Sequence, residues 1–152
     1  MRDVVGLFGR LTVLSVIAIA CSSDSGLSPF RSDGCSLFPD ASAISKVDWC
    51  SCCFDHDLVY WRGGTREERE DADSRLKECV LAKTGNAALA TLMYEGVRIG
   101  GSPYFYNWYR WGYGWRYDRK YQALTQGEQE RAHTMAEEYF ASTKGPICPV
   151  SQ

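Results

Sequence analysis

The sequence has almost no excess charge, no internal repeat and no long hydrophobic run. Its 17 lysines and arginines against 19 aspartates and glutamates give a formal net charge of −2, which argues against a nucleic-acid-binding protein. The mainly apolar run from Leu11 to Ala20 covers ten residues, whereas a transmembrane helix needs about 20. With 152 residues and no sign of a second domain, the chain suits one domain with one core.

The N-terminus has the features of an export signal. Arg2 and Arg10 precede or flank the start of the apolar run, which ends in the small residues of Ala18-Ile19-Ala20. This pattern predicts a signal peptide at residues 1–20, with a buried N-terminal helix as the alternative. The same end fits ordinary signal-peptidase cleavage and, together with Cys21, also resembles a bacterial lipobox, in which the cysteine is lipidated.

The cysteine count bears on both the compartment and the anchor. Seven cysteines in so short a chain point to an oxidising compartment. Setting Cys21 aside leaves an even number that can pair fully, which favours lipidation at that residue. We therefore predict an exported protein that is anchored in the cell envelope through Cys21, or is otherwise secreted or periplasmic. Residues 21–32 would form a polar tether to a domain at 33–152.

Patterns typical of helix ends predict a mostly α fold. Thr65-x-x-Glu68 and Thr125-x-x-Glu128 match the capping box that begins helices, and Ser45-x-x-Asp48 resembles it. Glycines at Gly63-Gly64 and Gly85-Asn86 would end helices. The predicted helices run from near Ser45 to Gly63, from the Thr65 cap to Gly85, from Ala87 to Arg98 and from the Thr125 cap to about Ala141.

The first predicted helix carries the residues best suited to chemistry. Cys52, His56 and Tyr60 are four residues apart and would share one helix face. Asp57 would lie about 100° around the helix from His56. The imidazole and the carboxylate would point into different sectors, so one could handle a proton while the other binds a cation.

The motif Cys52-Cys53-x-x-His56-Asp57-x-x-Tyr60 resembles the active-site helix of secreted phospholipase A2. Six positions separate Asp73 from Cys79, as in the second helix of that family, where an aspartate orients the histidine. The stretch Asp33-Gly34-Cys35-Ser36-Leu37-Phe38 is similar to a divergent form of the family's calcium loop. The resemblance covers residues 33–80. It implies a phospholipase A2-like fold with two antiparallel, disulfide-linked helices, additional helices and an aromatic-rich irregular segment.

The resemblance also implies how the cysteines pair. A bridge between the first two helices would bring Asp73 level with His56, because both lie on the same side of that bridge. Two pairs follow from the family and the third by elimination, which leaves Cys21 for the lipid. The expected pairs are Cys35–Cys53, Cys52–Cys79 and Cys50–Cys148.

By the same resemblance, the expected activity is calcium-dependent hydrolysis of phospholipid acyl esters at a membrane surface. His56 would take a proton from the attacking water, Asp73 would orient His56, and Tyr60 would hydrogen-bond to Asp73. Two other functions stay open: a non-catalytic envelope lipoprotein that binds lipid or a protein partner, and a hydrolase of another ester. The expected calcium ligands are the Asp57 carboxylate and the backbone carbonyls of Gly34, Ser36 and Phe38.

The segment from Pro103 to Tyr121 contains ten aromatic residues in nineteen and is expected to be irregular or to form short strands. Large rings bury much area, so we expect packing against the helices, with tips such as Trp108 or Trp111 facing lipid. A sugar-binding surface is another hypothesis.

His133 is expected at the surface. Asp40 and Asp48 are second-choice calcium ligands that capping or solvent exposure explains as well.

Overall fold

The computed structural model describes residues 26–43, 47–143 and 148, and in this part the chain is mostly α-helical. A short 3₁₀-helix spans Tyr117–Arg119, and the described residues contain no β-strand, only an isolated bridge between Ala41 and Asp48. None of the described helices is both long and apolar enough to cross a membrane. The four helices are α1 (Cys50–Arg62), α2 (Arg66–Thr84), α3 (Ala87–Gly100) and α4 (Gln126–Ser142).

The N-terminal caps of α2 and α4 agree with the sequence patterns. Thr65 and Thr125 form complete capping boxes with the glutamates three residues on. Gly85 ends α2 in the left-handed conformation, with φ of 65°. The predicted start of α1 near Ser45 is wrong, because α1 begins at Cys50. Asp48 instead accepts a 2.7 Å hydrogen bond from the Cys50 amide, while Ser45 lies outside the described residues.

Three disulfides staple the helices, and they are the three pairs expected. They join Cys35 to Cys53, Cys52 to Cys79 and Cys50 to Cys148. Partners along α1 pair in reverse order with partners along α2, so the two helices are antiparallel. The pairs are Cys52 with Cys79, His56 with Asp73 and Tyr60 with Arg69.

Three clusters of buried side chains hold the described helices together, and the smallest consists of Tyr60, Ala72 and Trp111. The first lies between α1, α2 and α3 and includes Val80 and Met93. The second joins α1 to the N-terminal segment, the aromatic segment and α4, with Trp61 at its centre. Each fully buried large side chain adds about 1.5–3 kcal/mol of transfer free energy. The clusters therefore fix α1, which carries the candidate site, from two sides.

The structure corrects the predicted tether. Leu27 and Phe30 are buried in the second cluster, and the Trp61 indole donates a 2.7 Å hydrogen bond to the Ser28 carbonyl. Residues 26–32 therefore pack against the domain. The aromatic ring of Phe30 gains transfer free energy when it is buried, and a solvated tether would leave that ring in water. The predicted signal peptide and Cys21 lie outside the described residues.

The aromatic segment divides into a buried and an exposed part. Trp111 and Trp115 are buried, which agrees with the expected packing against the helices. The prediction that the tip of Trp111 faces lipid is wrong. The buried Arg110 guanidinium donates hydrogen bonds to three backbone carbonyls of the segment and holds its irregular path. By contrast, Trp108 is 61% exposed and Tyr106 is 87% exposed.

Candidate active site

His56 and Asp73 form a buried pair across α1 and α2. The His56 Nε2 atom lies 2.9 Å from Asp73 Oδ1, and the Asp73 side chain is completely buried. Both residues sit on the helix faces that the Cys52–Cys79 disulfide holds together. Within the described residues, Nδ1 of His56 has no hydrogen-bond partner. An imidazole held through Nε2–H by a carboxylate carries its free lone pair on Nδ1 and can act as a base there.

Asp73 is surrounded by hydrogen-bond donors. Tyr60 donates to Oδ1 over 2.7 Å, and Arg98 donates to Oδ2 over 2.8 Å. Burial by itself raises the pKa of Asp73, but the hydrogen bonds from His56, Arg98 and Tyr60 outweigh it and hold the pKa below its usual range. Asp73 therefore remains a carboxylate, as a partner for an imidazolium must.

Sequence reasoning missed two arginines of this network. Arg69 is buried on α2, one turn before Asp73, with its Nε 3.7 Å from Asp73 Oδ2. That i,i+4 spacing is a signal the sequence contains. Arg98 reaches Asp73 from α3, a contact that depends on how the third helix packs.

An apolar cavity of about 130 Å³ opens beside His56. Its walls come from α1, α2 and α3 and from the loop at residues 34–38, and they include Leu76, Met93 and Val97. Most of the accessible wall is apolar, which suits a hydrocarbon chain. The imidazole is therefore close to a space that an apolar substrate could enter.

Asp57 lines the same cavity on a different face of α1. Burial raises the pKa of Asp57 to about 7; a 2.6 Å hydrogen bond from Ser32 opposes the rise, and the charges of Asp33 and Asp40 add to it. A cation would favour the ionised form of a carboxylate in such anionic surroundings.

The predicted carbonyl ligands also belong to this wall, since Gly34, Ser36 and Phe38 line the cavity with Asp57. Across the described residues, no three His, Cys, Asp or Glu side chains come together as metal ligands. One carboxylate with backbone carbonyls would give an all-oxygen ligand set of the kind that hard calcium prefers.

The loop that supplies these carbonyls is held by Asp40. Its Oδ1 accepts a 2.7 Å hydrogen bond from the Cys35 amide, and a Cβ at Gly34 would lie 2.5 Å from that oxygen. Gly34 also has φ of +80°, so glycine is needed there on both counts. Asp40, a second-choice ligand, therefore organises the loop, and Asp48 hydrogen-bonds to the Cys50 amide at the start of α1.

Exposed apolar side chains lie close in the chain to residues that line the cavity. Leu37 lines the cavity and is 82% exposed. Leu92 and Ile99 lie one helical turn to either side of the cavity-lining Gly96 and are also exposed. The exposed aromatic residues 104–106 and 108 follow cavity-lining Gly101 in the chain. Exposed apolar side chains that form one patch are typical of a surface that binds another molecule.

Taken by its geometry, the site can hold a base, a cation and an apolar chain side by side. Comparisons with protein-family models, with curated proteins and with solved structures find no match. His133 lies apart from the site, on the exposed side of α4, where it pairs with Glu137 as expected for a surface residue.

Proposed function

We propose that this protein is a calcium-dependent hydrolase of phospholipid acyl esters with a phospholipase A2-like domain. The observation that carries the proposal is the 2.9 Å contact of His56 with buried Asp73 beside an apolar cavity. A histidine with one nitrogen held by a carboxylate and the other free is the arrangement of a general base. The sequence resemblance described above supports the same conclusion.

In this mechanism His56 takes a proton from a water molecule through Nδ1, and that water attacks the ester carbonyl carbon directly. The ester C–O bond then breaks, the acyl group leaves as the fatty acid, and the imidazolium returns its proton to the oxygen of the departing alcohol. Asp73 stabilises the resulting imidazolium and keeps the ring oriented, while Tyr60 keeps its proton because burial and the Asp73 charge raise its pKa. Calcium held by Asp57 and the carbonyls of Gly34, Ser36 and Phe38 would supply positive charge for the ester oxygen and the phosphate.

The surroundings of the site support a lipid substrate. The apolar cavity suits an acyl chain, and the exposed aromatic side chains of residues 104–106 and 108 are of the kind that favours the lipid–water interface. The three disulfides indicate an oxidising compartment. Within that setting we propose an envelope lipoprotein anchored through Cys21, or otherwise a secreted or periplasmic protein.

The test is fatty-acid release from phospholipid vesicles, with and without a calcium chelator. Wild type should release fatty acid only with calcium, and His56→Gln should lower the rate by about 10²–10⁴-fold, the usual contribution of a general base. His133→Gln is the matched control, because His133 is exposed and outside the site. Calcium-independent release that His56→Gln retains would reject the proposal.

A second candidate is a non-catalytic lipoprotein that binds lipid. The exposed apolar side chains of Leu37, Leu92 and Ile99 favour it, since binding lipid through such side chains needs no general base. Vesicle binding by both wild type and His56→Gln, with no release by either, would select this function. Release from water-soluble short-chain esters but never from phospholipid would select a hydrolase of another ester.

A further inference from the structure

We infer that Arg98 and Arg69 are positioning residues that hold Asp73, and through it His56, in the reactive arrangement. This inference rests on the proposed function for its kinetic consequences. Neither arginine is close enough to His56 to hydrogen-bond with it in the described structure. Both act on the carboxylate behind the imidazole.

Arg98 fixes the second oxygen of Asp73. Oδ1 is shared by His56 and Tyr60, so Oδ2 decides whether the carboxylate can rotate about its Cβ–Cγ bond. The Arg98 Nη1 donates to Oδ2 over 2.8 Å, and its Nη2 lies 3.4 Å from Glu70. A carboxylate held at both oxygens keeps Oδ1 aimed at Nε2 of His56.

Arg69 fixes the position of Arg98. Its Nη2 donates to the carbonyls of Val97 and Arg98 over 2.9 and 2.8 Å, both in the last turn of α3, where the Val97 carbonyl also accepts from the Gly101 amide. A cation at that end of a helix is also favourable. The Arg69 Nε donates to the Tyr60 hydroxyl over 2.9 Å. One buried guanidinium thus ties Tyr60 to the end of α3.

These contacts link the base to the wall of the cavity. Met93, Gly96 and Val97 of α3 line the cavity, and the next residue on α3 is Arg98, which holds Asp73. A shift of α3 would therefore move the cavity wall and the carboxylate together. The two arginines therefore keep the cavity and the imidazole of His56 in a fixed relative position.

The kinetic test compares Arg98→Met with Arg98→Lys. Methionine keeps the apolar stem but removes the donor, and we expect kcat to fall about ten- to a hundredfold through misorientation, with KM changed less than about twofold. Lysine can reach one oxygen as a point charge and should recover a large part of kcat. Arg75→Met is the matched control, since Arg75 is an exposed residue of α2 that forms an ion pair with Asp71.

A spectroscopic test does not depend on turnover. The proton on Nε2 of His56, hydrogen-bonded to Asp73, should give a downfield proton resonance that His56→Gln removes. Arg98→Met should shift or broaden this resonance, and Arg98→Lys and Arg75→Met should leave it in place. This readout reports the orientation of the pair even if the protein releases no fatty acid, so failure of the proposed function and failure of this inference are distinguishable.

Arg69→Met removes a buried charge and several hydrogen bonds, so loss of folding there is expected and carries no weight alone. The variants of Arg98 therefore decide the test, because its side chain is 22% exposed and is not a fully buried charge like that of Arg69. A folded Arg98→Met protein with kcat within about twofold of wild type and an unchanged resonance would overturn the inference. Equal losses in Arg98→Met and Arg75→Met would overturn it too.

Discussion

Ser32 donates a 2.6 Å hydrogen bond to the carboxylate of Asp57, although the two residues are 25 positions apart in the chain. The Ser32 hydroxyl also accepts a 3.1 Å hydrogen bond from the Gly34 amide. One side chain therefore connects the N-terminal segment, the loop with the carbonyl ligands and the candidate metal-binding carboxylate. Phe30, buried two residues earlier, anchors that segment.

Replacing Asp57 by Asn should stabilise the metal-free protein at pH 8. The pKa of Asp57 is about 7 in the folded protein against an ordinary 3.8, so between about pH 4 and 7 the unfolded chain loses a proton that the folded protein keeps. The folded state thus loses stability over that range, and the loss is complete above pH 7. Asparagine does not ionise, so it avoids this loss of stability. The free energy of unfolding should therefore rise by on the order of 2 kcal/mol.

Urea unfolding in the presence of chelator at pH 4 and pH 8 measures this gain. It should be small at pH 4, where Asp57 is protonated in the folded protein and only partly ionised in the unfolded chain. Asp118→Asn, at an exposed residue, is the control. An Asp57→Asn protein less stable than wild type at pH 8 would contradict the expectation.

Calcium should raise the melting temperature of wild type and leave that of Asp57→Asn unchanged. An ion that binds only the folded state stabilises it by mass action. Protons compete for Asp57 below about pH 7, so the calcium-induced rise should be larger at pH 8 than at pH 5. Differential scanning fluorimetry with a calcium titration measures both effects, and an equal rise in the two proteins would place the ion elsewhere.

Replacing Gly96 by Leu should block the cavity without unfolding the domain. A Cβ at Gly96 would lie 3.2 Å from the Phe38 ring, so a longer side chain has to enter the cavity of about 130 Å³. Removing a glycine from a helix interior also favours the helix by about 0.5–1 kcal/mol, which offsets crowding.

Release of long acyl chains by Gly96→Leu should fall at least about tenfold, the effect of a loss of about 1.4 kcal/mol in transition-state binding. Ala88→Leu, on an exposed position of the same helix, should behave as wild type. The calcium-induced rise in melting temperature should persist in Gly96→Leu, and full activity of this variant would show that the cavity does not hold the substrate.

Glu128→Gln should destabilise the protein at neutral pH and have little effect in strong acid. Arg119 binds both carboxylate oxygens of Glu128, at 2.6 and 2.9 Å, and lowers its pKa to about 2. The folded pKa lies below the ordinary value, so this stabilisation is full above about pH 4.5 and is lost as pH falls towards 2.

We expect a difference on the order of 1 kcal/mol at pH 7, because the pair is partly exposed to solvent. Unfolding measured from pH 7 down to pH 2 should show the two proteins converge. Glu130→Gln, at an exposed residue of the same helix, should not change stability at either end. A difference between wild type and Glu128→Gln that persists at pH 2 would mean that the charge is not responsible.

Much of the helical framework could be predicted, because helix ends depend on near neighbours. The Thr65 and Thr125 capping boxes involve residues three positions apart. The start of α1 could not be predicted in this way. Asp48 does not form a capping box with Ser45; its side chain accepts a hydrogen bond from the Cys50 amide, and its backbone forms a bridge with Ala41.

Some residues of the candidate site could likewise be predicted from the sequence and others could not. His56 and Asp73 could be proposed as partners from helical spacing and a family motif. Arg98 could not, because it reaches Asp73 only through the packing of α3 on α2. Likewise, composition does not distinguish the buried Trp111 from the exposed Trp108, since the choice depends on which backbone lies beside each ring.

The sequence by itself determined the mostly α fold, the caps and the helical spacing that puts His56 and Tyr60 on one face, because each is set within about four residues. Only the tertiary structure decided that Ser32 touches Asp57, that Arg98 holds Asp73 and that Phe30 is buried. Those contacts join residues about 25 or more positions apart, and their energies appear only when whole helices pack together.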